Sequence, residues 1–223
     1  MKFFPLNNSI VQKLRHNHPA LIGRRLHGSG KFSGIFEGST ENSVLKLSID
    51  KASYIFNTNN HYKNKHFIKL VKDYGQVGIY SLHHNMKQPK STHTNLIQVP
   101  IYLYEVEKLN KITSNTKNHE LARYLVKNWQ KYNALSCSDD LKNSVNNFVS
   151  HLRSQSIATK NFQSIIDALD QLKTFMNHCN NESAFFDLHS TNMMQREDGT
   201  LVFSDPIADF QIYSYYYRTY KTQ

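Results

Sequence analysis

Asp187, Asn192 and Asp205 are the residues whose types and spacing point most directly to chemistry. Residues 193–196 and 200–204 are short apolar-rich runs, and Glu197-Asp198-Gly199 between them has strong turn chemistry. A hairpin folds its ends together, so Asn192 before the first strand and Asp205 after the second are expected side by side. Asp187, five residues upstream of Asn192, can then face the same space from a loop. Carboxylate, amide and carboxylate converging without cysteine or a histidine cluster suit a hard cation such as Mg2+, with one acid left over as a base.

The first half of the chain supplies groups suited to phosphate. Residues 20–26 read as a strand leading into a segment with Gly28, Gly30 and Gly34. Glycines at 28 and 30 let a backbone turn sharply and bring its N–H groups against phosphate oxygens, although two glycines near a turn also make a plain hairpin. Lys46 follows on a predicted strand over 44–47. Flanked by apolar residues, it needs an anionic partner, because a lone buried ammonium is costly. The alternative is an exposed lysine on an edge strand.

The remaining elements follow from apolar spacing. A short helix is predicted over 6–17, with Ile10, Val11 and Leu14 on one face. Another is predicted within 51–74, with Phe67, Ile68, Leu70 and Val71 in its buried stripe. Strands are expected at 77–84 and 98–107, joined by a polar loop holding Pro89, and alternation at 101–104 gives one face to the core. From 114 to 179 the texture turns helical. Leu121, Leu125 and Trp129 form one run; Leu141, Val145, Phe148, Val149 and Leu152 a second, capped by Asp139; Phe162, Ile165, Ile166, Leu169, Leu172 and Met176 a third. Trp129 reads as core. A β-rich first half before a helical second half predicts an α+β chain of two lobes, 1–108 and 109–223.

The totals set bounds. At 223 residues the chain has room for one ordinary domain or two small lobes. A formal charge of +10 favours acidic partners, but the cations are scattered, so nucleic acid is not the primary partner expected. Cys137 and Cys179 lack motif spacing and read as reduced thiols of a cytosolic protein. The start lacks a signal-like segment, and no run reaches the ~20 apolar residues of a membrane span.

Glycine loop, strand lysine, Asp-x4-Asn and a following Asp occur in the order of the protein-kinase-like fold, which the chain resembles. The wording of residues 186–194 and 204–207, with the Gly28 to Ser33 loop, is similar to the early Ser/Thr protein kinases of short-tailed phages of the T-seven-like group. The resemblance covers roughly residues 20–210 and implies an antiparallel-sheet N-lobe and a reduced helical C-lobe. It implies ATP and Mg2+ as cofactors. Gly28, Ser29, Gly30, Phe32, Ser33 and Ile35 would lie at the nucleotide, with Phe32 at the loop tip and Ile35 covering the base. Lys46 would hold the α- and β-phosphates, Glu105-Val106-Glu107 would be the hinge whose backbone hydrogen-bonds the adenine edge, and Asn192 and Asp205 would hold the metal. Asp187 would be the base that takes the acceptor's proton. Host proteins, including transcription or RNA-processing machinery, would be the substrates, in the host cytoplasm.

Several features depart from the family's pattern. Phe185 and Phe186 stand where His-Arg normally precedes the catalytic aspartate, and Pro206-Ile207 stand where Phe-Gly follows the metal aspartate. Eighteen residues follow Asp205, so the usual activation loop and final helices are not expected. No acid lies between Asp50 and Asp73 to pair with Lys46 from a helix, leaving the phosphates and Asp205, or a polar residue such as Asn60 or His61. That gap favours a rival reading, a pseudokinase-type protein that binds and inhibits a host factor. A small-molecule phosphotransferase of the aminoglycoside or choline type shares the Asp-Leu-His-x-x-Asn wording, but the short tail argues against it. His189 is expected to order its loop and Asp209 to have no direct role.

Overall fold

A computed structural model describes residues 8–83, 96–132, 138–155, 160–178 and 184–220. Cys137, Cys179, the loop with Pro89 and the side chains of Asp139 and Leu141 lie outside the described part. The structure is mixed α+β: an antiparallel five-stranded sheet, two small antiparallel ladders and six α-helices among the described residues. The chain forms two compact units interleaved in sequence. One comprises Met1–Tyr54, Leu70–Lys108 and Ile212–Gln223, the other Ile55–Lys69 and Leu109–Gln211. None of the described helices is long and apolar enough to cross a membrane.

The first unit is built on β1 (Leu26–Ser29), β2 (Ser33–Glu37), β3 (Ser43–Ser48), β4 (Leu70–His83) and β5 (Leu96–Glu107), in spatial order β1-β2-β3-β5-β4. Helix α1 (Ser9–Asn17) is capped by Asn8, whose Oδ1 accepts from the Ile10 amide at 2.8 Å. It buries Val11 and packs Ile10 and Leu14 against the sheet core, as its spacing predicts. The expected strand over 20–26 is instead a turn. Leu21 and Ile22 amides return to the His18 carbonyl, Gly23 takes a left-handed φ of 71°, and β1 begins only at Leu26.

Helix α2 (Lys51–Thr58) starts at Asp50, whose Oδ1 accepts the Ser53 amide at 2.8 Å. It is far shorter than the 51–74 span allowed. Asn59 and Asn64 turn their side chains onto the amides of His61 and His66, offering the backbone local partners that compete with helix. Phe67 bridges Phe203 rather than joining a helical stripe, and Leu70 and Val71 open β4. That strand starts seven residues before the expected 77 because three irregularities, at 70/72, 73/75 and 76/78, break its period of two.

Both faces of the sheet are covered. Leu45, Leu47, Ile49, Val99, Ile101 and Leu103 face a core shared with Val11, Phe36 and Ile212. On the opposite face Tyr54 of α2 stacks on Tyr102, with ring centres 4.0 Å apart. Residues 101–106 are therefore all buried, where alternation alone predicted one buried face.

The second unit holds α3 (Lys117–Tyr132), α4 (Ser138–Ser154) and α5 (Lys160–His178), the three helices that the apolar runs predict. Trp129 is core: its ring meets Phe148 at 5.4 Å and Phe186 at 4.9 Å, edge to face. After α5 come β6 (Ala184–Phe186), β7 (Met193–Gln195), β8 (Leu201–Phe203) and β9 (Ile207–Asp209). The β6–β9 and β7–β8 pairs are both antiparallel. Helix α6 (Phe210–Tyr220) follows, with Asp209 accepting the Gln211 amide at 2.9 Å in a capping role.

Candidate active site

The segment around Asp187 is assembled by two ladders in the second unit. In β6, Phe185 packs edge-on to Phe210, and Phe186 lies against Trp129 and Phe148. These phenylalanines anchor the strand in the helical core. Leu188 is buried just beyond, so half-buried Asp187 is held between two fixed points. The Asp187 amide continues the β6–β9 ladder by donating to the Pro206 carbonyl at 2.8 Å.

The second ladder is the expected hairpin. Met193 pairs with Phe203 and Gln195 with Leu201, and the turn uses Gly199 at φ 78°. Asp198 stabilises that turn by accepting the Thr200 amide, and this bond holds its carboxyl below the usual range. One step beyond the ladder, the Ser204 amide donates to the Asn192 carbonyl at 2.9 Å. Asp205 thus sits between Ser204, which is bonded to Asn192, and Pro206, which is bonded to Asp187.

The side chains tighten the arrangement. Asn192 Nδ2 donates to the Asp187 carbonyl at 2.9 Å and to Asp187 Oδ2 at 3.1 Å. The amide orientation is thereby fixed, with Oδ1 on the side away from these bonds. His189 Nε2 lies 3.4 Å from Asp187 Oδ2, and its Nδ1 lies 2.6 Å from Thr191 Oγ1, so the ring orders the loop. A hard oxygen set of carboxylate and amide fits Mg2+ in kind.

The segment at 64–67 is stitched to the same hairpin. Arg196 donates to the carbonyls of Lys65 and Phe67, and the Phe203 amide to that of His66. His66 is 4% exposed, its ring held between the Leu201 carbonyl at 2.7 Å and Ser164 Oγ at 2.8 Å. Burial pushes its pKa down.

In the first unit, Lys46 lies on β3, an interior strand, and is 6% exposed, which excludes the edge-strand alternative. Directly paired residues of antiparallel strands share a face. Gly28 pairs with Ile35, Ile35 with Lys46, and Lys46 with Tyr104, so these four form one row across the sheet. Ser33, two residues before Ile35, lies on the same face. Phe32 does not occupy an exposed loop tip. It is 9% exposed, belongs to the core on the opposite face, and meets Tyr213 edge-on at 6.3 Å. Gly28 and Gly30 have no left-handed φ, and Ser29 ends β1 half-buried.

Glu105 is also away from the lysine row. It pairs with Leu45, on the core face, and its carboxylate is 1% exposed. Burial would raise its pKa, but hydrogen bonds from Ser43, Ser39 and Tyr74 outweigh that and hold it low. Its backbone lies in the ladder between β3 and β4, while Glu107, at the end of β5, pairs with Ser43.

Ser53 is the residue that sequence reasoning missed. Its Oγ lies 3.4 Å from Lys46 Nζ, and the Lys46 ammonium is 5.8 Å from the Tyr104 ring centre. Asn60 and His61, the polar residues expected near the lysine, are exposed. The missed signal was Asp50 three residues before Ser53, a helix-start pattern. No protein-family model, no curated protein and no solved structure matches the chain.

Proposed function

We propose that the chain is an ATP-dependent protein serine/threonine kinase with the two-lobed fold its motifs resemble. The observation that carries this reading is the Asn192 amide seated on Asp187, with Asp205 bracketed by the two ladders that hold them. In this scheme Asp187 orients an acceptor hydroxyl and takes its proton. The acceptor oxygen bonds to the γ-phosphorus as the bond to the β-bridging oxygen breaks, and the electron pair leaves with ADP. Most of the catalysis is positioning and charge stabilisation.

Asn192 Oδ1 and the Asp205 carboxylate would hold Mg2+, which supplies neutralisation of phosphate charge. Lys46 neutralises the α- and β-phosphates, with Gly28, Ser33 and Ile35 on the same sheet face available to the nucleotide. The acceptors are proteins of an infected host, in keeping with the phage-kinase resemblance.

A second reading has one observation in its favour. Ser53, not an acid, meets Lys46 from the helix, as suits a pseudokinase that binds a partner without transfer. Incubating the chain with γ-labelled ATP and a cell lysate separates the readings. Labelled protein bands support the kinase. A labelled metabolite indicates a small-molecule phosphotransferase, and nucleotide binding without any transfer the pseudokinase.

A further inference from the structure

A groove of about 500 Å³ runs along the outer side of α3 and reaches Ser190 in the loop that carries Asp187 and Asn192. Its wall carries Arg123, Lys127 and Glu120, with Tyr124 and Val126 half-buried beneath them. The helix is fixed to the catalytic hairpin, since Asn118 Nδ2 donates to Gln195 Oε1 at 3.0 Å and to the Gly199 carbonyl at 2.8 Å. Lysines 117 and 131 add to the positive charge of α3, which contains Glu120 as its one acid. None of these side chains has a part in the transfer chemistry described above.

We propose that this groove receives the acidic flank of a peptide acceptor and so sets the substrate class; the proposal rests on the kinase reading. Ser190 is exposed and lies in the loop whose Asn192 is bonded to Asp187, so a chain lying along α3 reaches the loop that carries the base. Arg123 and Lys127 are four residues apart, about 6 Å along a helix. Same-side residues of an extended peptide are two residues and about 6.6 Å apart. Acidic residues at alternate positions therefore match the two cations. The half-buried Tyr124 and Val126 suit a peptide's apolar groups. Glu120 disfavours a sugar-phosphate backbone, whose charge repeats without gaps.

The test is fluorescence anisotropy with the full chain and labelled serine peptides that carry Glu or Gln at alternate flanking positions. The Glu peptide is expected to bind at least tenfold tighter than its Gln twin. The exposed double change Arg123→Glu with Lys127→Glu should erase that difference and create a preference for a Lys-flanked peptide, with an unchanged melting temperature. In transfer assays it should raise KM for the Glu peptide and leave kcat unchanged. Equal binding of the Glu and Gln peptides, or a preference that survives charge reversal, overturns the proposal. So does a double change that abolishes oligouridylate binding and spares the peptide. Arg123- and Lys127-dependent peptide binding by a parent that transfers no phosphate would support the groove while removing the kinase reading.

Discussion

Asn192 Nδ2 donates to both the backbone carbonyl and the Oδ2 of Asp187, at 2.9 and 3.1 Å. The amide is thus a strut that fixes the carboxylate, and in the proposed scheme its Oδ1 would also serve the metal. Leucine has nearly the same shape and neither function. Asn192→Leu is expected to lower phosphate transfer at least ~100-fold, while two lost hydrogen bonds cost about 1–3 kcal/mol of stability. Labelled-ATP assays and urea unfolding measure the two effects separately.

Lys46 is a buried cation on an interior strand, with its Nζ 3.4 Å from Ser53 Oγ. Lys46→Met keeps the length and removes the charge. Transfer should fall at least ~100-fold, because the charge that would face the phosphates is gone. Parent-like activity in this variant would remove Lys46 from the nucleotide scheme.

The glycines divide by the space around them. A Cβ at Gly38 would lie within 3 Å of the Ser43 side chain and backbone, so Gly38→Ala should break the turn that brings Ser39 and Ser43 onto Glu105. A loss of ~2–4 kcal/mol is expected, typical of overpacking with a broken buried network. At Gly28 a Cβ meets nothing within 4 Å and φ is not left-handed. Gly28→Ala should leave stability within ~0.5 kcal/mol and raise KM for ATP severalfold, because the residue shares its row with Lys46. A stability scan beside ATP kinetics distinguishes the two.

The pH dependence of folding has a predicted sign. Burial lowers the His66 pKa below its ordinary 6.5, so the unfolded chain takes up a proton that the folded one refuses. The stability is fully present above about pH 6.5 and is lost as pH falls toward the folded-state pKa, with a slope of up to ~1.4 kcal/mol per pH unit. Glu105 also has a lowered pKa, but as a carboxylate it loses its contribution only in the acid range below about 4.5. Urea unfolding between pH 7.5 and 5.5 should therefore show a slope that becomes shallower in His66→Gln.

The sequence revealed most where periodicity is strong and local. The three helices over 117–178 followed from their apolar spacing, and the 193–203 hairpin from Glu197-Asp198-Gly199. Hairpin geometry also foretold that the backbone on either side of Asp205 lies beside Asn192 and Asp187. Residues 51–83 were misread because asparagine side chains stop α2 early and bulges scramble the alternation of β4. The inward turn of Phe32 and the burial of Glu105 depend on which sheet face each strand presents. Register fixes that, and no single strand's pattern encodes it. Ser53 at Lys46 depends on where α2 begins, a boundary one capping aspartate sets.

In the proposed transfer Asp187 is the base. Asp187→Asn keeps the shape and removes the proton acceptor. Transfer of γ-phosphate from ATP to a protein acceptor, measured beside Mg-ATP binding, tests it most directly. The parent is expected to transfer phosphate, and the variant to bind Mg-ATP within about threefold while its kcat falls by ~100-fold or more. A variant that transfers as fast as the parent, or a parent that transfers none, would contradict it.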